Sequence, residues 1–283
     1  MTVSSVLIFG AGGAVGLEAA RNAAARGLSV VAAYRTERSG VSEKIQNCGA
    51  RAVKADLEDT DHIKTLLAQS DAVIFTPILS VSAQAAPLLG RTQRAIFFSS
   101  NNVAIDPQAD DYARILEAEA MVQRAAPAAA ILRPTMIYGY PGDGNISRLM
   151  TLMRRAPLVP MIGRASALQQ PVYFKDLARA ALDELFNDAK PAGVCAVAGP
   201  TAITKKELYQ AVAAASGART HILPAPVGPA AAMAQFLERA GQKTGLKRAQ
   251  LQRADLDKTP RGGRLILGET RLEDGLRALA AEL

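Results

Sequence analysis

Gly10-Ala11-Gly12-Gly13-Ala14-Val15-Gly16, directly after the apolar run Val6-Leu7-Ile8-Phe9, is the stretch that decides the fold. Four apolar residues in a row read as a short buried strand, since a half-exposed strand would alternate. The following Leu17-Glu18-Ala19-Ala20-Arg21-Asn22-Ala23-Ala24-Ala25-Arg26 is alanine-rich and free of proline, and reads as a helix closed by Gly27. A strand, a glycine turn and a helix in this order open a dinucleotide-binding unit. The glycines let the backbone approach a pyrophosphate, whose charge then faces the positive end of the helix. Gly10, Gly13, Ala14, Val15 and Gly16 are the expected pyrophosphate contacts. The spacing is G-x-x-G-x-x-G, with Gly12 adding an overlapping G-x-G-x-x-x-G. A P-loop would need Lys and then Ser or Thr after its last glycine, and this chain has Leu17-Glu18 there. That alternative is excluded.

Outward from the turn, strands and helices alternate. Leu28–Tyr34 reads as a second strand, Val41–Asn47 as a helix and Ala50–Ala55 as a third strand. Asp61 is placed at the start of the next helix. Asp71–Phe75 is a fourth strand broken by Thr76-Pro77, and Arg94–Ser99 a fifth. A helix from Tyr112 to about Ala126 follows Asp110 and Asp111, and Ala129–Arg133 is a sixth strand halted by Pro134. This rhythm predicts an α/β fold: a doubly wound parallel Rossmann sheet with ligands at the carboxyl ends of its strands. Arg35, Asp56 and Leu57, Thr76 and Pro77, Ser99 and Ser100, and Pro134 fall at those ends.

The rhythm lapses after residue 138. A turn-rich Gly139–Gly144 loop precedes a basic amphipathic segment from Ile146 to Arg155. Gln170–Phe174 reads as a strand, Asp176–Phe186 as a helix, and Val194–Gly199 with Thr204–Ser216 as another strand and helix. Beyond Pro224, Pro226 and Pro229 the chain reads as helices covering a smaller lobe. The expected division is a Rossmann domain over 1–138, with 172–188 returning to it, and a smaller C-terminal substrate lobe from 139–171 and 189–283.

At 283 residues, with 49% apolar and 21% charged residues and no tryptophan, the composition is that of a globular enzyme or binding protein. The net charge of +7 is scattered rather than gathered in an aromatic-interleaved stripe, which argues against nucleic acid and suits an anionic cofactor or substrate. Cys48 and Cys195 are far apart, and only His62 and His221 accompany them, so no metal site is expected. With no leader and no apolar run near membrane-spanning length, the expected location is cytoplasmic, without membrane association. At the end of the second strand, an acid would suit the ribose hydroxyls of NAD. Arg35 stands there instead, either as a fork for the 2′-phosphate of NADP or as a solvated loop residue. NADP(H) is the favoured cofactor and NAD(H) the alternative.

Taken together, these residues resemble the short-chain dehydrogenase/reductase superfamily, in its extended or atypical branch (epimerase/dehydratase-like, NAD(P)-binding). The resemblance rests on the glycine turn, Asp56-Leu57, Ser99-Ser100, Tyr112 with Glu119, Ile131–Gly139 and Gln170–Ala178. It implies that Ser100 holds a substrate oxygen and Tyr112 exchanges a proton with it, with a lysine four residues beyond the tyrosine. Here that position is Leu116. Lowering a tyrosine from pKa 10 toward 7 takes about 4 kcal/mol from a fixed nearby cation. Leucine supplies none. Reduction, in which the tyrosine gives a proton, suffers less than alcohol oxidation. Gln170-Pro171, where sugar-nucleotide epimerases carry an arginine before the strand, looks more like the branch of the complex I accessory subunit and NmrA-like proteins. Three functions follow from the resemblance: an NADPH-dependent oxidoreductase acting on a small polar carbonyl or alcohol, a non-catalytic NAD(P)-binding subunit or redox sensor, and a sugar-nucleotide epimerase. It also implies a small-molecule substrate and a homodimer through the Tyr112–Ala126 helix.

Overall fold

The computed structural model describes residues 3–38, 40–90, 93–187, 193–229, 232 and 253–283. In chain order the first elements are β1 (Ser5–Phe9), α1 (Ala14–Ala25), β2 (Ser29–Tyr34), α2 (Val41–Asn47), β3 (Arg51–Lys54) and α3 (Thr60–Ala68). There follow β4 (Ala72–Ile78), α4 (Leu79–Ser82), β5 (Arg94–Phe98), α5 (Asn102–Ile105), α6 (Asp110–Ala125) and β6 (Ala130–Pro134). Next come β7 (Ile137–Tyr138), α7 (Ile146–Arg155), β8 (Leu158–Ile162), β9 (Leu168–Gln169), β10 (Val172–Tyr173) and α8 (Phe174–Leu185). The last are β11 (Gly193–Ala198), β12 (Ile203–Thr204), α9 (Lys205–Ser216), β13 (His221–Ala225), β14 (Arg264–Leu267) and α10 (Leu272–Glu282).

Two compact units divide the chain. The first takes residues 1–134, 174–197 and 260–268; the second takes 135–173, 198–259 and 269–283. The first unit is built on an eight-stranded sheet in the order β3-β2-β1-β4-β5-β6-β11-β14, and the pairings from β3 through β11 are parallel. Strand order reverses direction between β1 and β4, and this switch is where open α/β sheets bind ligands. Phe9, Phe75 and Phe97 lie side by side on β1, β4 and β5, with ring centroids 5.0 and 4.6 Å apart. They make an apolar floor near the carboxyl ends of the central strands. The second unit has three two-stranded pairs: β7 with β10, β9 with β12 and β8 with β13. Its helix α9 starts in a capping box between Thr204 and Glu207.

Several expectations are corrected. Thr76-Pro77 does not break the fourth strand, since β4 runs on to Ile78 with a register shift against β5 between Phe75 and Ile78. A proline is tolerated there because the ladder is already irregular. Asp59, not Asp61, caps α3 by accepting the His62 N–H at 3.1 Å, and Asp61 lies in the first turn. Helix α6 begins at Asp110, so both aspartates are helical. Phe174 starts α8 and leaves only Val172–Tyr173 as strand. β11 and β14, assigned to the smaller lobe from sequence, extend the main sheet instead. Their hydrophobic runs are too short for the periodicity to show which sheet they join. Of the helices expected beyond Pro224, Pro226 and Pro229, Leu272–Glu282 forms, Arg264–Leu267 is strand instead, and residues 230–231 and 233–252 lie outside the described residues.

The amino edge of the central sheet is tied by Asp71. Its Oδ2 accepts from the N–H and hydroxyl groups of Ser4 and Ser5 at 2.8 to 2.9 Å. Those donors, the Ser4 N–H foremost, pull its carboxyl down to about 2 from 3.8. A depressed carboxyl stabilises the fold fully above the unfolded value and loses that contribution as pH falls through the folded one. Asp71→Asn is therefore expected to lower Tm at pH 7, with the gap to the parent narrowing below about pH 4. Thermal melts at a series of pH values check this, and a gap independent of pH would refute it.

Candidate functional site

The glycine turn is held from both sides. On one, the Ala11 N–H donates to the Ala33 carbonyl of β2 at 3.0 Å; on the other, the Thr76 hydroxyl of β4 donates to the Phe9 carbonyl at 2.9 Å. Gly10 has φ +81°, and a Cβ there would meet Thr76 Oγ1 at 2.3 Å. A Cβ on Gly16 would stand 2.5 Å from the Gly10 carbonyl oxygen. Side chains are barred from both positions by the protein itself. Gly13 differs: it is exposed with φ −93°, and a Cβ would find only the Gly10 oxygen, at an ordinary 3.5 Å. Space above Gly13 is open to a ligand. Helix α1 begins there with no side-chain cap and no acid in its first turn of Ala14, Val15 and Gly16. The first N–H groups of a helix have no partner inside it, so this terminus is free to receive an anion.

At the end of β2, Arg35, Thr36 and Arg38 are exposed. The acid nearby is Glu37, and it is occupied: the Ser42 hydroxyl, the Ser42 N–H at 3.3 Å and the Tyr34 hydroxyl all serve its carboxylate and hold its pKa below the usual range. Arg35 makes no ion pair among the described residues. Asp56, exposed at the end of β3, accepts the Glu58 N–H at 3.2 Å, and the Leu57 carbonyl accepts from Gln84 at 3.0 Å.

Past β5, the two serines part company. Ser99 is 7% exposed, and its hydroxyl donates to Glu119 at 2.5 Å. Glu119 in turn is held by Arg133, whose Nε donates at 2.8 Å and whose Nη2 closes the pair. The Ser99 side chain is thus spent inward, and its N–H is spent on the Leu132 carbonyl at 2.7 Å. Arg133 is likewise committed, so it does not replace the cation missing at Leu116. Ser100 stays half-buried, and its oxygen accepts the Asn102 N–H at 3.3 Å. The Asn102 amide donates to the Tyr112 hydroxyl oxygen at 3.0 Å. One asparagine therefore ties the two proposed catalytic hydroxyls together. The Pro134 carbonyl at the end of β6 accepts the Asn101 N–H at 3.0 Å, which fixes this loop against the sheet. Tyr112 and Leu116 both pack partly buried against the core cluster of β4 to β6. A lysine at Leu116 would have to bring its ammonium past that apolar wall. The bridging role of Asn102 depends on α5 turning back toward α6, which no local pattern signals.

Residues 2–87 match the model of the NmrA-like family. A comparison with curated protein sequences gives no match. Among solved structures, the enzyme WbmH of Bordetella bronchiseptica in complex with NAD+ superposes with a TM-score of 0.69 at 17% identity, over 99% of this chain and 98% of that one. UDP-glucose 4-epimerase of Thermotoga maritima with UDP-glucose gives 0.68 at 15% identity over 98% of each chain. The chain shares the α/β Rossmann-like fold of these structures. UDP-glucose 4-epimerase of Thermus thermophilus in complex with NAD shares it too, with a TM-score of 0.62 at 16% identity over 98% of each chain. No helix among the described residues is long and apolar enough to cross a membrane.

The two outer glycines and the middle one should separate on substitution. Gly16→Ala forces the helix off its turn and is expected to destabilise the protein by about 1–3 kcal/mol. Gly13→Ala leaves Tm nearly unchanged, because its methyl group meets no protein atom closer than 3.5 Å, but weakens dinucleotide binding. Melting curves alongside NADPH titration check both; equal loss of stability would show that Gly13 serves the fold alone.

Proposed function

We propose that this protein is an NADP(H)-dependent oxidoreductase that reduces a carbonyl of a small polar metabolite. The observation that carries the reading is the open cradle over Gly13, with Arg35 unpaired by any acid at the next strand end. The residues fit a dinucleotide: a side-chain-free turn and an uncapped helix terminus receive the pyrophosphate, and Arg35 offers a planar fork to a 2′-phosphate. Asp56 and Leu57 stand where an adenine would lie, and Thr76, Pro77, Ser99 and Pro134 line the ends of the strands beyond. When bound, the reduced cofactor supplies a hydride. Ser100 holds the substrate carbonyl oxygen by a hydrogen bond, and Tyr112 gives that oxygen a proton as the carbonyl carbon takes the hydride. Asn102 orients both hydroxyls by donating to each.

A second reading, a dinucleotide-binding subunit or redox sensor without turnover, draws on the packing of Leu116 and the commitment of Arg133 to Glu119. A sugar-nucleotide epimerase, the activity named for several structures of like fold, would retain NAD through purification and show it by absorbance.

Binding titrations with NADPH and NADH, followed by a carbonyl panel monitored at the NADPH absorbance, separate these readings. Arg35→Ala is expected to weaken NADPH by about tenfold or more, or at least 1.4 kcal/mol, while NADH changes little. Tyr112→Phe should abolish NADPH oxidation without changing NADPH affinity. NADPH binding with no oxidation by any carbonyl would reject the oxidoreductase and favour the sensor, and equal losses for both cofactors would return Arg35 to the role of a loop residue.

A further inference from the structure

Gln169 at the end of β9 pairs with Lys258 through an isolated parallel bridge, so the two side chains leave the backbone on the same face. Both line one cavity of about 860 Å³ whose walls belong entirely to the second unit. Gln169 is 2% exposed, and its side-chain nitrogen has no hydrogen-bond partner. Folded proteins seldom leave a buried amide donor unused unless something outside the chain completes it. Lys258 makes no ion pair among the described residues, and burial, with Lys205 and Arg253 beside it, pulls its ammonium down to about 8. The half-buried cation and the idle donor both suit the same partner, an oxyanion.

The rest of the cavity narrows what that is. Lys205 donates hydrogen bonds to the carbonyls of Ile162, at 3.0 Å, and Ala254, and Asp255 faces it. Asp257 is taken by Arg164 at 2.7 Å. The Thr151 hydroxyl donates to the Ser147 carbonyl at 2.8 Å, and the Ser147 hydroxyl oxygen accepts the Gly142 N–H at 3.2 Å, so neither is idle. Deep in the wall stand Ile146, Val159 and Leu208. Arg148 and Arg155 also line the cavity but are exposed, so among the described residues Lys258 is the half-buried cation without an ion pair; it suits a single acidic head, and the aliphatic wall suits an apolar body.

We propose that this cavity binds a small acid with an apolar body, its oxyanion head held between the Lys258 ammonium and the Gln169 amide. The head is a carboxylate or a phosphate, which share this chemistry. The site stands whether or not the first unit reduces a carbonyl, and its test needs no cofactor.

Calorimetry and thermal shift on the whole chain, with octanoate, octyl phosphate, octanol and UDP-glucose as probes, decide the matter. At least one of the two acids should bind with Kd below about 1 mM and raise Tm, while octanol does neither. The tighter of the two names the head group. Lys258→Met and Gln169→Leu should each weaken that acid by about tenfold or more. Lys258→Met should also raise the Tm of the ligand-free protein, because an ill-solvated ammonium is gone. Octanol binding as tightly as the acids, UDP-glucose binding more tightly than either, or no acid binding at all would overturn the proposal. If Lys258→Met fails to fold, Gln169→Leu decides: unaltered affinity for the acid refutes the site.

Discussion

Everything at the carboxyl edge of the main sheet depends on how closely α1 can approach the end of β1. The Gly10 carbonyl lies where a Gly16 side chain would be, and the Thr76 hydroxyl lies where a Gly10 side chain would be. Three chain segments therefore meet at one point, with no room there for a side chain on either Gly10 or Gly16. Below that point the row of Phe9, Phe75 and Phe97 fills the sheet's face, so the turn rests on a rigid apolar base rather than on solvent.

A second, buried constraint shapes the other half of the site. Glu119 receives Ser99 and Arg133 together, and it is 3% exposed. Removing one partner of such a pair typically costs about 3–5 kcal/mol, because the other is left charged and without water. Its place between α6, β6 and the end of β5 fixes the start of the Ser100–Asn102 loop. The hydroxyls of Ser100 and Tyr112 are then joined through one residue, the backbone N–H and the side-chain amide of Asn102, in a position that a free loop would not hold.

The central architecture was legible because its signals are local. The glycine turn, the alanine-rich helix and the apolar runs read correctly as strand, turn and helix, and Val41–Asn47 and Ile146–Arg155 matched to the residue. Proline misled where tertiary pairing outweighed it, as at Pro77 within β4. The short strands Gly193–Ala198 and Arg264–Leu267 carry no mark of the sheet they join; that depends on partners more than 60 residues away, such as Ile131 facing Val194. At the site, residue types at strand ends were readable and hydrogen-bond direction was not. Ser99 and Ser100 are adjacent and chemically identical, yet one points into the Glu119 pair and the other does not. The orphaned amide of Gln169 was equally hidden, since a glutamine's lack of a partner is a property of the packed chain.

The hydroxyl of Thr76 has one more consequence. By bonding the Phe9 carbonyl, it joins β4 to the last residue of β1 in the protein alone, before any phosphate arrives. On the proposed reading the cradle is thus shaped in advance, and a dinucleotide would lose only its own freedom rather than also ordering a loop. Such a receptor gains affinity through entropy it does not have to surrender, and an incoming ligand finds the turn already in its bound form.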